Sequence, residues 1–417
     1  MSNIWFRKIY DFKHVSFVIA LIAVLIALIF SFVIFPKIQQ SLGLSIDPDK
    51  NGDLSRNIFT DKGFIYSDSD KPTVDRGPIY PYAISLLFTL SGSTDYKVVQ
   101  IFQAILFGVT GLLVFLIVKY VSCKRTAVIA QIFYTLHPMF IWYTSRIWIE
   151  TTHTFLITIT AYILIRTYHK LSLRWMICLG VVLGLTILTK SILMFFPVVL
   201  VPIFYFRWKK EGVQFALVTV VVTYLLIIPW SLRNYNVTNE IIPVHTSLGL
   251  NLIQGDVLAE NWLKYPLSNM PSWFIGDAKM NVVLGGTDAT PQDAVGDKAL
   301  VKHFISENLR RPLFLFWRTL VNSITFWYLS ESPLKSIFLA CLQFPLLIVF
   351  LIGVRRVWKE KPIIIPLVWM IIYFFVGHSF IIGWARYSVP IIPLILSLVV
   401  IYIFDYTKVF KSESSTL

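Results

Sequence analysis

The chain has only three cysteines, Cys123, Cys178 and Cys341, and each lies in or beside an apolar run. That excludes a disulfide framework and a cysteine-rich metal centre. Charge is sparse as well, at 14% of residues. No GxxxxGK[ST], GxGxxG or GxSxG segment occurs. Without a loop that cradles phosphates on backbone N–H groups or a nucleophile elbow, ATP-driven, Rossmann-type and α/β-hydrolase chemistry fall away, and no nucleotide is expected as cofactor. The seven histidines show no His-x-x-x-His spacing and read as structural. No low-complexity tract is present, and no internal repeat of the inverted-repeat transporter kind is visible.

What the chain has in abundance is apolar surface: 56% of its residues are hydrophobic and 16% are aromatic. A soluble core cannot use that much, so the class is a polytopic helical membrane protein. The net charge of +14 would suit nucleic acid if it formed a stripe. Instead the bases sit in short clusters between apolar runs, which is a membrane-topology pattern and argues against a nucleic-acid partner.

Runs of spanning length fall near 14–35, 97–119, 126–144, 150–168, 173–189, 191–206, 212–230, 335–354, 362–378 and 386–405. They predict an all-α bundle of about ten transmembrane helices, with the shorter run at 79–90 interfacial. The first run is followed by no small-residue cleavage site and reads as a retained anchor. Segments 1–13, 119–125, 166–174, 207–211, 355–361 and the C-terminal tail together carry eighteen Lys and Arg against five Asp and Glu. The positive-inside rule then places both termini in the cytoplasm of a multi-pass cell-membrane protein. Two long loops, 36–78 and 231–311, face outward from this single membrane domain spanning 1–417.

Four polar patches lie on that outer side. In "IDPDKNGDLSRNIF", from Ile46, Asp-Pro-Asp opens a short amphipathic helix, with Asp49 or Asp53 near its start. Aspartates also cap helices, which is the bland reading of each one. In "DRGPIYPY", Arg76 precedes a rigid turn, where it would make a good phosphate ligand, and Tyr80 and Tyr82 suit the headgroup level. In "YTSRIWIE", Glu150 opens a helix and Arg146, four residues earlier, is placed to pair with it. An acid at the membrane boundary is equally a ligand or acid–base group. Lys190 interrupts an apolar stretch, Arg233 and Asn234 open the large loop, and Arg386 and Tyr387 stand at the mouth of the last run. Lone cations at the outer interface, where the charge rule gives no reason for them, point to an anionic headgroup.

In this order the patches resemble the GT-C superfamily of lipid-linked sugar transferases, in the protein O-mannosyltransferase and aminoarabinose-transferase branch. The Asp-Pro-Asp after the first helix is Asp47 to Asp49, and Arg-x-Pro-x-Tyr-Pro is Arg76 to Pro81. Tyr-Ser-…-Glu runs from Tyr143 to Glu150, Pro-Trp-x-x-Arg-Asn-Tyr from Pro229 to Tyr235, and Arg-Tyr-x-x-Pro from Arg386 to Pro390. The family's Gly-Tyr after the second aspartate is replaced here by Lys50-Asn51. The resemblance implies a GT-C-like fold and a polyprenyl-phosphate sugar as donor. The acceptor would be a glycan, lipid or protein, and the site would face outward. It implies Asp49 as general base, with Asp53 the alternative. Arg76, Lys190, Arg233 or Arg386 would neutralise the phosphate, assisted by Tyr80, Arg146, Asn234 and Tyr387. Glu150 would position the acceptor, and a divalent metal, if one takes part, would sit on Asp49 or Glu150. Two rivals remain at this stage. A lipid-oligosaccharide flippase or transporter should carry ionisable residues at mid-membrane, and an O-antigen polymerase or ligase should carry a late loop rich in Arg and His.

Overall fold

The computed structural model describes residues 14–263, 277–285 and 289–406. The terminal charge clusters at 1–13 and beyond 406, and parts of the large loop, lie outside the described residues. The regular structure of the described residues is all helical, with no strand among them.

The spans follow from apolar length. Helix α1 (Val15–Leu42) leads through α2 (Asn51–Phe59) and α3 (Ile79–Ser91) to α4 (Tyr96–Val121). Next come α5 (Lys124–Thr135), α6 (Pro138–Thr144), α7 (Glu150–His169), α8 (Leu173–Thr189) and α9 (Phe196–Thr238). The large loop folds as α10 (Leu248–Glu260), α11 (Asp277–Leu284) and α12 (Ala294–Arg310), and the chain ends with α13 (Pro312–Tyr328), α14 (Pro333–Glu360), α15 (Ile365–Ile381) and α16 (Ile392–Tyr406). Among the described residues six stretches are long and apolar enough to cross a membrane. The predicted runs and these helices differ in three places. The run at 126–144 divides at His137, because Pro138 cannot continue the helix. The runs at 191–206 and 212–230 share one helical stretch that turns at Lys209, with φ 52° and ψ −134°. The third is α13, which no apolar run signalled, because Arg318 interrupts it.

Packing relies on small residues and self-satisfied hydroxyls. Ala20, Ala23 and Ala27 bury one face of α1, and a Cβ at Gly108 of α4 would stand 2.7 Å from Val24 and 2.8 Å from the Ala20 carbonyl. Without an aqueous driving force between helices in lipid, such close backbone approach is a main source of affinity. Thr154, Thr158, Thr160 and Thr167 of α7, with Thr186 and Thr189 of α8, each donate to the carbonyl four residues back. Their hydroxyls therefore cost little inside the bundle. One end of the bundle is closed by Asp405, which accepts from Ser122, Thr126 and the Lys361 ammonium at 2.6 Å. This is the end where the basic clusters 119–125 and 355–361 lie. At the opposite end stand the two long loops.

Candidate active site

Four segments distant in sequence meet at the loop end. The first is the turn after α1. Lys50 takes a left-handed conformation (φ 54°, ψ 24°), and α2 begins at the next residue. Asp47 caps that helix, accepting from the Asp53 N–H at 3.0 Å and from the Tyr96 hydroxyl at 3.2 Å. Burial pushes the Asp47 carboxyl up. Asp53 turns away and holds Ser67 through its N–H and hydroxyl. The aspartate that reaches the other segments is Asp49.

The second segment brings Arg76. Its guanidinium donates to the Asp49 carbonyl from Nε (3.3 Å) and NH2 (3.2 Å), and pairs with Asp75 at 3.3 Å. Gly77 makes this approach feasible: a Cβ there would lie 2.2 Å from the Leu188 carbonyl oxygen and 2.8 Å from that of Thr189. Only glycine lets the arginine turn dock against the end of α8, beside Lys190.

The third and fourth segments supply Glu150 and Arg386, which with Asp49 form the centre. Arg386 NH2 donates to Asp49 Oδ2 at 2.7 Å, and its Nε donates to Glu150 Oε1 at 2.9 Å. One guanidinium thus bridges two carboxylates from the two ends of the chain. Burial pushes the Asp49 carboxyl up, but Arg386, Arg76 and Lys190 outweigh it and hold it below the usual carboxylate range. Lys190 lies at the break after α8, with its ammonium 3.9 Å from the Tyr387 ring centroid. His378 stacks parallel on the same ring at 4.9 Å. Burial pulls Lys190 down to about 7, against the pull of Glu150 and Asp49.

Arg146 does not pair with Glu150 as its spacing suggested, because residues 145–149 are not helical and do not set the two on one face. Arg146 instead donates from Nε to the Ser45 carbonyl at 3.0 Å and lies 3.9 Å from the Trp148 ring centroid. Tyr80 is not a headgroup anchor. It is fully buried, and its hydroxyl donates to Gln103, which in turn braces the Thr144 and Arg146 carbonyls. Arg233 stands apart, spent on the Thr73 carbonyl at 2.6 Å and on the faces of Phe64 and Trp230. Asn234 ties the carbonyls of Ile242 and Val244. Arg233 thus braces the loop that carries Arg76 and Asn234 the segment at 242–244, and neither bonds the carboxylates.

Sequence reading missed Trp148, which lies between the guanidinium groups of Arg146 and Arg386 at 3.9 and 5.2 Å. Its place between two motif residues was the available signal. It also missed the fully buried Asp256–Arg318 pair at 2.5 Å, which joins α10 to α13. Asp49 and Glu150, the carboxylates considered for a divalent ion, have Arg386 between them. Among the described residues no three His, Cys, Asp or Glu side chains gather as a metal set. An ion would need that arginine displaced and a third donor, so this arrangement does not fit one.

Residues 71–232 match the family described as dolichyl-phosphate-mannose-protein mannosyltransferase. No match is found among curated proteins. The fold is shared with the archaeal oligosaccharyltransferase AglB from Archaeoglobus fulgidus in complex with an inhibitory peptide and a dolichol-phosphate. Identity is 15%, the TM-score is 0.54, and the match covers 96% of this chain and 51% of that one. The apo form of the A. fulgidus oligosaccharyltransferase gives 15% identity and a TM-score of 0.56, covering 95% and 51%. A structure of ArnT from Cupriavidus metallidurans bound to undecaprenyl phosphate is 13% identical with a TM-score of 0.41, covering 93% and 76%. The chain spans about half the length of the oligosaccharyltransferases it matches. The multi-pass helical fold expected from the sequence is the fold shared with these oligosaccharyltransferase structures.

Proposed function

We propose that the protein is a membrane glycosyltransferase. It moves a sugar from a polyprenyl-phosphate donor to an acceptor hydroxyl or similar nucleophile on the outer face of the cell membrane, with inversion. The observation that carries this reading is the bridge of Arg386 between Asp49 and Glu150, flanked by Arg76 and Lys190. The match over 71–232, which contains Arg76, Arg146, Glu150 and Lys190, supports it. So does the clustering of cations at the bundle end away from the basic clusters.

The chemistry follows from charge. A phosphodiester-linked sugar carries one negative charge, and its phosphate takes on a second as the bond to the anomeric carbon breaks. Cations that meet this growing charge stabilise the transition state more than the ground state. Arg386 is the cation best placed, but in the resting site it is neutralised by Asp49. A carboxylate paired at 2.7 Å is a poor base. When the donor phosphate draws Arg386 away, Asp49 loses its counter-ion and its proton affinity rises. The acceptor oxygen then attacks the anomeric carbon, its proton passes to Asp49, and the carbon–oxygen bond to phosphate breaks on the opposite face. Base activation is thereby tied to donor arrival.

Transfer of radiolabelled sugar from a panel of polyprenyl-phosphate sugars, using purified protein in nanodiscs, tests this. Asp49→Asn should lower turnover by roughly a hundredfold or more while donor binding persists, the scale of a lost general base. Equal turnover in the variant would move the base to Asp53 or Glu150. Absence of transfer with flipping of lipid-linked sugar in liposomes would replace the enzyme reading with a transporter.

A further inference from the structure

Between Arg146 and Glu150 the chain presents three buried polar groups, each only half used. Arg146 is 4% exposed, Trp148 4% and Glu150 1%. Arg146 spends Nε on the Ser45 carbonyl, while its NH1 finds no partner. Glu150 spends Oε1 on Arg386, while its Oε2 finds none. Trp148 spends its ring on two guanidinium groups, while its indole N–H finds none. The used halves chain the three groups to one another through Arg386. Each unused half is an unsatisfied polar atom of a kind that native structures seldom retain without a ligand to explain it.

Other buried polar atoms are unpartnered too, the hydroxyls of Thr151 and Thr152 in α7 among them, but Arg146, Trp148 and Glu150 stand out by lying against the Arg386 bridge. If Trp148 served only as a platform for the arginines, phenylalanine would do so without a stranded N–H. The free set comprises two donors and one acceptor. Phosphate would want donors alone and would be repelled by Glu150, and a polyprenyl tail would want none of them. A sugar ring, whose hydroxyls both accept and donate, fits all three.

We infer that Arg146, Trp148 and Glu150 form the subsite for the sugar ring of the donor. Arg146 NH1 and Trp148 Nε1 donate to ring hydroxyls, and Glu150 Oε2 accepts from a hydroxyl or an amine. This rests on the glycosyl-transfer reading and deepens it. Arg386 binds Glu150 at one edge and Asp49 at the other, so a ring held here has its anomeric carbon beside the phosphate cations and the base.

The test compares binding of bare undecaprenyl phosphate with that of undecaprenyl phosphate carrying mannose, glucose, N-acetylglucosamine or aminoarabinose, in nanodiscs. Wild type should prefer at least one sugar-bearing lipid over the bare one. Trp148→Phe keeps the ring and deletes the donor, so its melting temperature should hold or rise. Its preference for the sugar-bearing lipid should fall about tenfold, the worth of one good hydrogen bond, with the bare lipid bound as before. Glu150→Gln should shift the preference among the sugars. An unchanged preference in both variants, or a wild type that binds bare and sugar-bearing lipids alike, overturns the subsite. A wild type that binds none of these lipids overturns the transfer reading itself.

Discussion

At the scale of single residues, Lys190 gives the sharpest expectation. Its ammonium titrates at about 7, low for a lysine, because burial penalises the charged form. It is therefore charged below that pH and neutral above it. If it helps bind the donor phosphate, kcat/KM, which reports free-enzyme ionisations, falls as pH rises through about 7. Lys190→Arg should retain its charge and abolish that alkaline fall, and a pH profile of initial rates checks it. Asp49 contributes no limb in the same range, since its cations keep it ionised below the ordinary carboxylate region. The fully buried Asp256–Arg318 pair makes a different case. Asp256→Ala strands a guanidinium in the protein interior, at a cost of about 3–5 kcal/mol, and a clear drop in melting temperature should record it.

At the scale of elements, position matters more than the nature of each group. The RGP turn reaches Lys190 only because Gly77 lies against the terminal carbonyls of α8. Gly77→Ala places a methyl where a carbonyl oxygen already stands and must push the turn outward, carrying Arg76 off the Asp49 carbonyl. Turnover should fall at least tenfold with a raised KM for donor, while α8 and the rest of the bundle keep their melting behaviour. Much of this was legible beforehand, since Asp49, Arg76, Glu150, Lys190 and Arg386 were all singled out by type and place. What could not be read was partnership. Arg146 sits four residues from Glu150, which on a continuous helix would pair them, but the segment between is not helical and Arg386 arrives from more than two hundred residues away. Arg233 carries the same charge as Arg386 and the same motif weight, and only tertiary contact shows that it serves the loop. Helix α13 escaped for a related reason, because one arginine in an apolar run looks like a break until its buried aspartate is known.

At the scale of the whole molecule, the bundle separates two polar ends. The Asp405 cluster with Lys361, Ser122 and Thr126 ties α16 to the α4–α5 turn and to the start of α15, far from the bridged carboxylates. Asp405→Ala should destabilise the protein by about 1–3 kcal/mol, as for a partly buried charged hydrogen-bond centre, and leave the rate per folded molecule unchanged. Thermal melts and specific activity on the same preparation separate the two effects. The class of the molecule was readable from apolar length, and the clusters at 119–125 and 355–361 do lie at the end away from the long loops. The bounds of the helices were less readable, because a proline, a left-handed lysine and a buried arginine each divide or hide a run in ways composition does not show.

The threonines that bond back to their own helices have one more consequence. A hydroxyl satisfied within its own turn asks nothing of the neighbouring helix, and an alanine or glycine seam asks only for smallness. Helices joined on those terms ask mainly for matching size along the seam, with a few hydroxyls such as Thr219 and Thr223 of α9 reaching carbonyls of α8 as well. The bundle can therefore keep its shape while residues along those seams turn over, and the residues with little freedom to change are those at the loop end, where two carboxylates share one guanidinium.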